Sequence, residues 1–293
     1  AVQEAMVVAD VSGRVEDRRR ADAEIGGLIE RLEPQILGDA GEGTTAEGHE
    51  AAAIVGDPGA DDLGDLSWLY NQLGTSLLAQ GEYGRAATVF TKEFELTRRL
   101  GEESPSAIVS ATNWAQLTVY VLSEGQRVLR LLPDYREMND RHGGDPRTSA
   151  FIDGLLAEAA LLEGEVETAE RSARRAVERL DGDDGFRGGW RATAVTLHAR
   201  ALARLGRDAA ARAALTTVAP LSDALDSEFA CRFRLARLEL LARAPGADAS
   251  EVDVSEIDAV VERCRAVSAP LDDLPPGLAL AAAQAREAFG SDP

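Results

Sequence analysis

Cysteine is nearly absent from this chain of 293 residues: Cys231 and Cys264 are the only two, and both sit inside apolar helical patterns. Two thiols so far apart build no disulfide framework, so the sequence predicts a reducing, cytoplasmic setting. Lysine is scarcer still. Lys92 is the only one, and arginine carries the rest of the positive charge. A GC-rich genome would produce that bias, and so would a high-salt habitat that favours acidic surfaces. Aromatic residues make up 5% of the chain, and the long β-branched or aromatic runs that a sheet needs are missing. No apolar stretch approaches the roughly 18 residues of a membrane span, and no signal-peptide pattern opens the sequence. The first residue is Ala1 instead of Met, which leads us to expect a processed or excised piece of a longer protein.

Catalytic motifs are missing too. His49, His142 and His198 are far apart, and His49-Glu50 has no second histidine at metal-ligand spacing. Asp181-Gly182-Asp183-Asp184-Gly185 starts like a calcium loop but lacks the later ligands and the closing glutamate, so it reads as a solvated acidic turn. There is no Gly-x4-Gly-Lys phosphate loop and no Gly-x-Ser-x-Gly elbow. No catalytic residue, metal or cofactor is expected. The net charge of −20 argues against a general nucleic-acid binder, which needs a concentrated basic surface. One arginine-rich stretch exists: Arg171, Arg174, Arg175 and Arg179. It is interleaved with Glu165, Glu167, Glu170 and Glu178 and reads as a solvated helix face with i,i+4 pairs.

What is present is alanine, leucine, arginine and glutamate, the composition of helices packed closely through small side chains. The fold class is all-α. A periodic glycine organises it. Gly81, Gly125, Gly164 and Gly206 each follow a helical pattern and precede a second one, at gaps of 44, 39 and 42 residues. A weaker copy turns at Gly246. Ala86, Ala169 and Ala211 stand five residues after three of these glycines, while Arg130 breaks the pattern in the second unit. Glycine tolerates the positive φ of a tight turn, and alanine lets the second helix approach the first. A fixed period of this length signals a repeat architecture.

Helix starts agree. Ser104-Pro105 and Asp145-Pro146 each set a capping side chain before a first-turn proline, and Ser255 with Asp258 can cap a later helix. The reading places helix pairs at about 63–100, 105–141, 146–180, 187–223 and 226–267, with a last helix after Pro275-Pro276. Residues 14–37 read as one or two amphipathic helices, and the glycine-rich acidic stretch after them as loop. Three regions follow: 1–61 as an N-terminal helix plus acidic loop, 62–250 as repeats, and 251–293 as C-terminal capping helices.

Around Gly81, Tyr70, Leu73, Gly74, Tyr83, Ala86 and Phe90 stand at the spacing aromatic-x2-Leu-Gly, then Gly-x-Tyr-x2-Ala-x3-Phe. This resembles the tetratricopeptide (TPR) repeat consensus. Trp114, Leu117 and Gly125, then Leu156, Ala157, Gly164, Ala169 and Ala176, then Ala199, Gly206, Ala211 and Leu215 continue the resemblance in part, over about residues 63–245. The period is longer than the family's usual one, as in the repeats of bacterial signalling ATPases, transcription regulators and cytoplasmic peptide receptors. The resemblance implies a right-handed α-α superhelix of about five antiparallel helix pairs, whose first helices line a groove for a peptide or protein segment. Its groove positions fall on Trp68, Asn71 and Thr75; on Thr112 and Val119 with Asn113 and Gln116 nearby; on Phe151 and Glu158; and on Thr193, Thr196 and Arg200. Lysine is absent from all of them, so the family's lysine clamp for a carboxylate tail is not expected. Trp114 reads as core, while Trp68 and Trp190 are open between core and groove.

The expected function is a non-enzymatic module that binds a protein or peptide, with no nucleic acid or membrane partner. A second reading makes the chain the sensor region of a larger signalling ATPase or transcription regulator. A third makes it an enzyme with an unfamiliar helical active site.

Overall fold

The computed structural model describes residues 15–37, 60–80, 82–100, 105–181, 189–222 and 236. His49, Gly81, Ser104, Cys231, Gly246, Ser255, Cys264, the acidic loop after Asp181 and the last predicted helices lie outside the described residues. Nine α-helices and no strand occur among the described residues. They are α1 Val15–Leu37, α2 Ala60–Ala79, α3 Tyr83–Leu100, α4 Pro105–Tyr120, α5 Gly125–Arg141, α6 Pro146–Leu162, α7 Val166–Leu180, α8 Gly189–Arg204 and α9 Asp208–Ser222. The chain divides into two compact units, Ala1–Glu103 and Ser104–Pro293.

In the first unit α1 packs on α2, and α2 on α3. Val15–Leu37 form one helix, whose Ile25 and Ala21 are buried. The consensus residues Tyr70, Leu73, Ala86 and Phe90 are all in the core. Gly74 is there because the Phe90 ring lies against it: a Cβ at Gly74 would come within 2.7 Å of the ring. Lys92 reaches across to α1, with Nζ donating to Glu33 Oε1 at 3.0 Å.

The second unit stacks three antiparallel pairs, α4/α5, α6/α7 and α8/α9. Each helix packs on the next, and the first helices also touch each other, α4 on α6 and α6 on α8. That contact pattern is a stack of helical hairpins, the helical-repeat architecture expected from the periodic turns. Its core is small-residue packing: Ala157, Ala160, Ala169, Ala173 and Ala201 close around Leu161 and Leu197. Trp114 is buried, as its helical spacing predicts. At the start of α6 the Asp145 carboxylate accepts from the Arg147 N–H at 3.1 Å, the cap expected before Pro146.

The turn register corrects one element of the sequence pattern. Gly164 and Gly206 have φ of 75° and 72°, as a helix-ending turn requires. Gly125 does not hold that place. The positive φ in the α4/α5 turn belongs to Ser123, at 57°. Ser123, Gly164 and Gly206 each stand two residues before the first residue of the next helix, namely Gly125, Val166 and Asp208. This register puts buried Val128 opposite Ala169 and Ala211, so Arg130 is not an exception to the pattern after all. Gly125 serves close approach instead. A Cβ there would lie 2.8 Å from the Ala159 carbonyl oxygen and 2.7 Å from Glu163 Oε1, which accepts from the Gln126 N–H.

Candidate functional site

The corrected register also realigns the first helices. Counting back equally from each turn residue puts Trp68, Ser110, Phe151 and Thr193 at one position. Asn71, Asn113, Gly154 and Thr196 share the next, and Thr75, Leu117, Glu158 and Arg200 the third. Thr112 and Val119, chosen by counting from Gly125, are therefore two residues out of step. Both are buried, and Thr112 Oγ1 donates to the Val109 carbonyl at 2.8 Å. Ser110 and Leu117 take their places, and Asn113, already a candidate, is the counterpart of Asn71.

In the first unit, Trp68 is 40% exposed, and Thr75, two turns further along the helix, is exposed as well. Asn71 is half-buried and its amide nitrogen donates to buried Glu93 of α3, 3.2 Å to Oε1 and 3.4 Å to Oε2. This orients the amide, and among the described residues its Oδ1 is left as an acceptor. In the second unit Asn113 and Gln116 are half-buried on α4, a helix without a single charged residue. On α6 and α8, half-buried Phe151 meets Trp190 edge-to-face, ring centres 3.9 Å apart at 74°. Trp190 is 36% exposed.

Glu158, Thr196 and Arg200 lie deeper. Glu158 is 2% exposed, Arg200 5%, and Thr196 is buried too. Arg200 Nη1 stands 3.5 Å from Glu158 Oε1, tying α8 to α6. Arg204, one turn on, donates to the Leu161 carbonyl at 2.9 Å near the end of α6. Thr193 is half-buried. Asn113, Gln116, Phe151 and Thr193 are thus half-buried and Trp190 partly exposed, whereas Glu158 and Arg200 are buried.

A second cluster, missed in the sequence, occupies the junction of α5, α6 and α7. Arg175 and Arg179 turn inward from the stretch read above as a solvated face and join Arg136 around Asp153, which is fully buried. Arg174 keeps the expected i,i+4 pair with Glu170. Arg175 Nε donates to Asp153 Oδ1 at 3.1 Å. Arg179 holds Asp140 bidentately at 2.8 and 2.9 Å, and Ser149 Oγ donates to Asp140 Oδ1 at 2.6 Å. The Arg179 bonds bring the Asp140 carboxyl down to about 2. At Asp153 burial wins: it pushes the carboxyl up in spite of Arg175, Arg136 and Arg179. The available signal was a lone acid inside the apolar run Ala150-Phe151-Ile152-Asp153-Gly154-Leu155-Leu156. Such an acid has to find cations when its helix is buried.

His198 Nε2 lies 3.4 Å from Glu170 Oε1, and His142 is exposed. Among the described residues no group of His, Cys, Asp or Glu is arranged to hold a metal ion, and no helix is long and apolar enough to cross a membrane. No protein-family profile matches the chain, and no curated protein matches it. Solved structures do. One, from Podosopora anserina, carries nearly identical TPR-like repeats and is assigned as a kinesin light chain. It has 22% identity, a TM-score of 0.48, and covers 69% of this chain and 96% of that one.

Proposed function

We propose that this chain is a non-enzymatic module that binds a protein or peptide segment along the accessible faces of its first helices. Residues 62–250 are its repeat region, flanked by 1–61 and 251–293, and it works in the cytoplasm without a cofactor. The observation that carries the reading is the recurrence of asparagine at one register position, Asn71 and Asn113, on faces otherwise uncharged and aromatic. A side-chain amide donates to and accepts from an extended backbone, so a repeated asparagine suits an extended segment. Trp68 and the Phe151–Trp190 pair add apolar area at low entropic cost. Glu158 and Arg200, paired below, act as supports that hold α6 and α8 in place. Thr75 adds a polar group to the face of the first unit, and Gln116 and Thr193 to that of the second, while Thr196 is buried and acts as a support. A preformed surface of this kind binds with little ordering cost on its own side.

The test is quantitative capture from a native lysate with wild type, Asn71→Ala, Asn113→Ala and, as a control on an exposed site of α7, Arg171→Ala. The reading expects proteins retained by wild type and the control and lost with the asparagine variants. Equal recovery on all four would end it.

A further inference from the structure

We propose that Arg136, Arg175 and Arg179 form a binding site for a phosphate-class oxyanion where α5, α6 and α7 meet. The cluster holds three guanidiniums and two carboxylates, so it is one negative charge short. Both oxygens of Asp140 are occupied, by the Arg179 fork and by Ser149. Asp153 Oδ1 accepts from Arg175. Its Oδ2 has no hydrogen-bond partner among the described residues, although Arg179 Nε stands 3.4 Å away. Arg136 is the unsatisfied member. Its Nη1 comes only within 3.6 Å of Asp153 Oδ1, and its buried Nε has no hydrogen-bond partner among the described residues.

The three guanidiniums are not sealed off. Their side chains keep 20%, 38% and 27% exposure for Arg136, Arg175 and Arg179, while Asp153 behind them has none. A fully buried carboxylate therefore gathers three partly exposed guanidiniums; Arg179 is held by Asp140 and Arg175 Nη2 donates to Ser172 Oγ at 3.2 Å, so Arg136 is the one without a hydrogen bond among the described residues. Planar N–H forks match the paired oxygens of an oxyanion, and partial burial reduces screening by water. Across residues 105–222 acidic and basic side chains nearly balance, so most of the charge of −20 lies elsewhere in the sequence. Glu137 and Glu178, the nearest acids in sequence, occupy exposed positions, as does Arg171.

The proposal is tested on the full chain with inorganic phosphate, by calorimetry and thermal unfolding against sodium chloride at matched ionic strength. Arg136→Gln is the decisive variant, because it removes a guanidinium that makes no hydrogen bond to the described residues. Arg136→Lys keeps the charge and loses the fork, and Arg171→Gln controls for general electrostatics. We expect phosphate to bind wild type and Arg171→Gln alike, and Arg136→Gln about tenfold or more weakly, the usual loss for a charge-assisted hydrogen bond. Arg136→Lys falls between. A parallel arm with N-acetyl-phosphoserine amide separates sources. Tighter binding than phosphate assigns the site to a phosphorylated side chain, and equal binding to the free anion. The proposal is overturned if phosphate acts no differently from chloride. It is also overturned if Arg171→Gln loses as much as Arg136→Gln.

Discussion

Asp153 of α6 and Arg175 of α7 stand 3.0 Å apart, and the carboxylate is completely enclosed. The pair joins the two helices of one hairpin, and Arg136 brings in the second helix of the preceding hairpin. Replacing Asp153 with Ala leaves three guanidiniums around an empty place. Breaking a buried pair from one side costs about 3–5 kcal/mol, and because these arginines are partly exposed the lower end is expected. Urea denaturation monitored by circular dichroism measures it. A loss no larger than that of an exposed substitution such as Arg171→Ala would contradict the role given to Asp153.

Acid sensitivity follows from Asp140. Its folded carboxyl titrates at about 2, below the ordinary carboxylate value of 3.8. A depressed value means stability that is fully present above the unfolded value and lost as pH falls through the folded one. The difference in midpoint between wild type and Asp140→Asn should therefore be constant above about pH 5 and shrink between pH 4 and 2. Asp153 works the other way. Its carboxyl is raised, so its charged form is the costly one and protonation at falling pH relieves that cost. Thermal melts of both asparagine variants across this range separate the two signs.

Two glycines should answer oppositely to alanine. At Gly125 the new methyl would meet the Ala159 carbonyl and Glu163, and destabilise by about 1–3 kcal/mol as an overpacked contact. At Gly154, inside α6, nothing lies within 4 Å. Alanine there should stabilise by about 0.5–1 kcal/mol through helix propensity alone. Denaturation midpoints of the two variants, at equal slope, decide it.

Tryptophan accessibility is the quickest check on the first helices. Trp114 is 1% exposed, whereas Trp68 and Trp190 are 40% and 36%. In variants that retain one tryptophan each, iodide should quench Trp68 and Trp190 and leave Trp114 almost untouched. Strong quenching of Trp114 would mean that α4 is not packed as described.

The buried Glu158–Arg200 pair calls for a double-mutant cycle. Glu158→Leu or Arg200→Met alone breaks the buried pair from one side and should cost about 3–5 kcal/mol, while the two together should recover most of it. Additive losses in urea titrations would show that the two side chains do not depend on each other.

Helix identity and hairpin spacing could be read directly from the residues, because they arise from local causes. The aspartate before Pro146 caps a helix by reaching its own second N–H, and Gly164 and Gly206 supply positive φ within a single turn. The consensus core of Tyr70, Ala86 and Phe90 was legible for the same reason, since periodicity places it on one helix face. The second turn was misread because Gly125 resembles its neighbours in type but not in role. Ser123 takes the left-handed backbone there, and the two-residue difference put Thr112 and Val119 on the expected face in place of Ser110 and Leu117, beside Asn113 and Gln116. Composition, repeat length and the all-helical class were thus determined by the sequence alone, through spacing and local propensity. Which arginines turn inward to Asp153, which groove candidates sink beneath the surface, and which amide pairs with Glu93 depended on residues brought together from separate helices. Only tertiary packing could decide those, because a charge goes where its partner and its burial balance, and neither is written in the residues beside it.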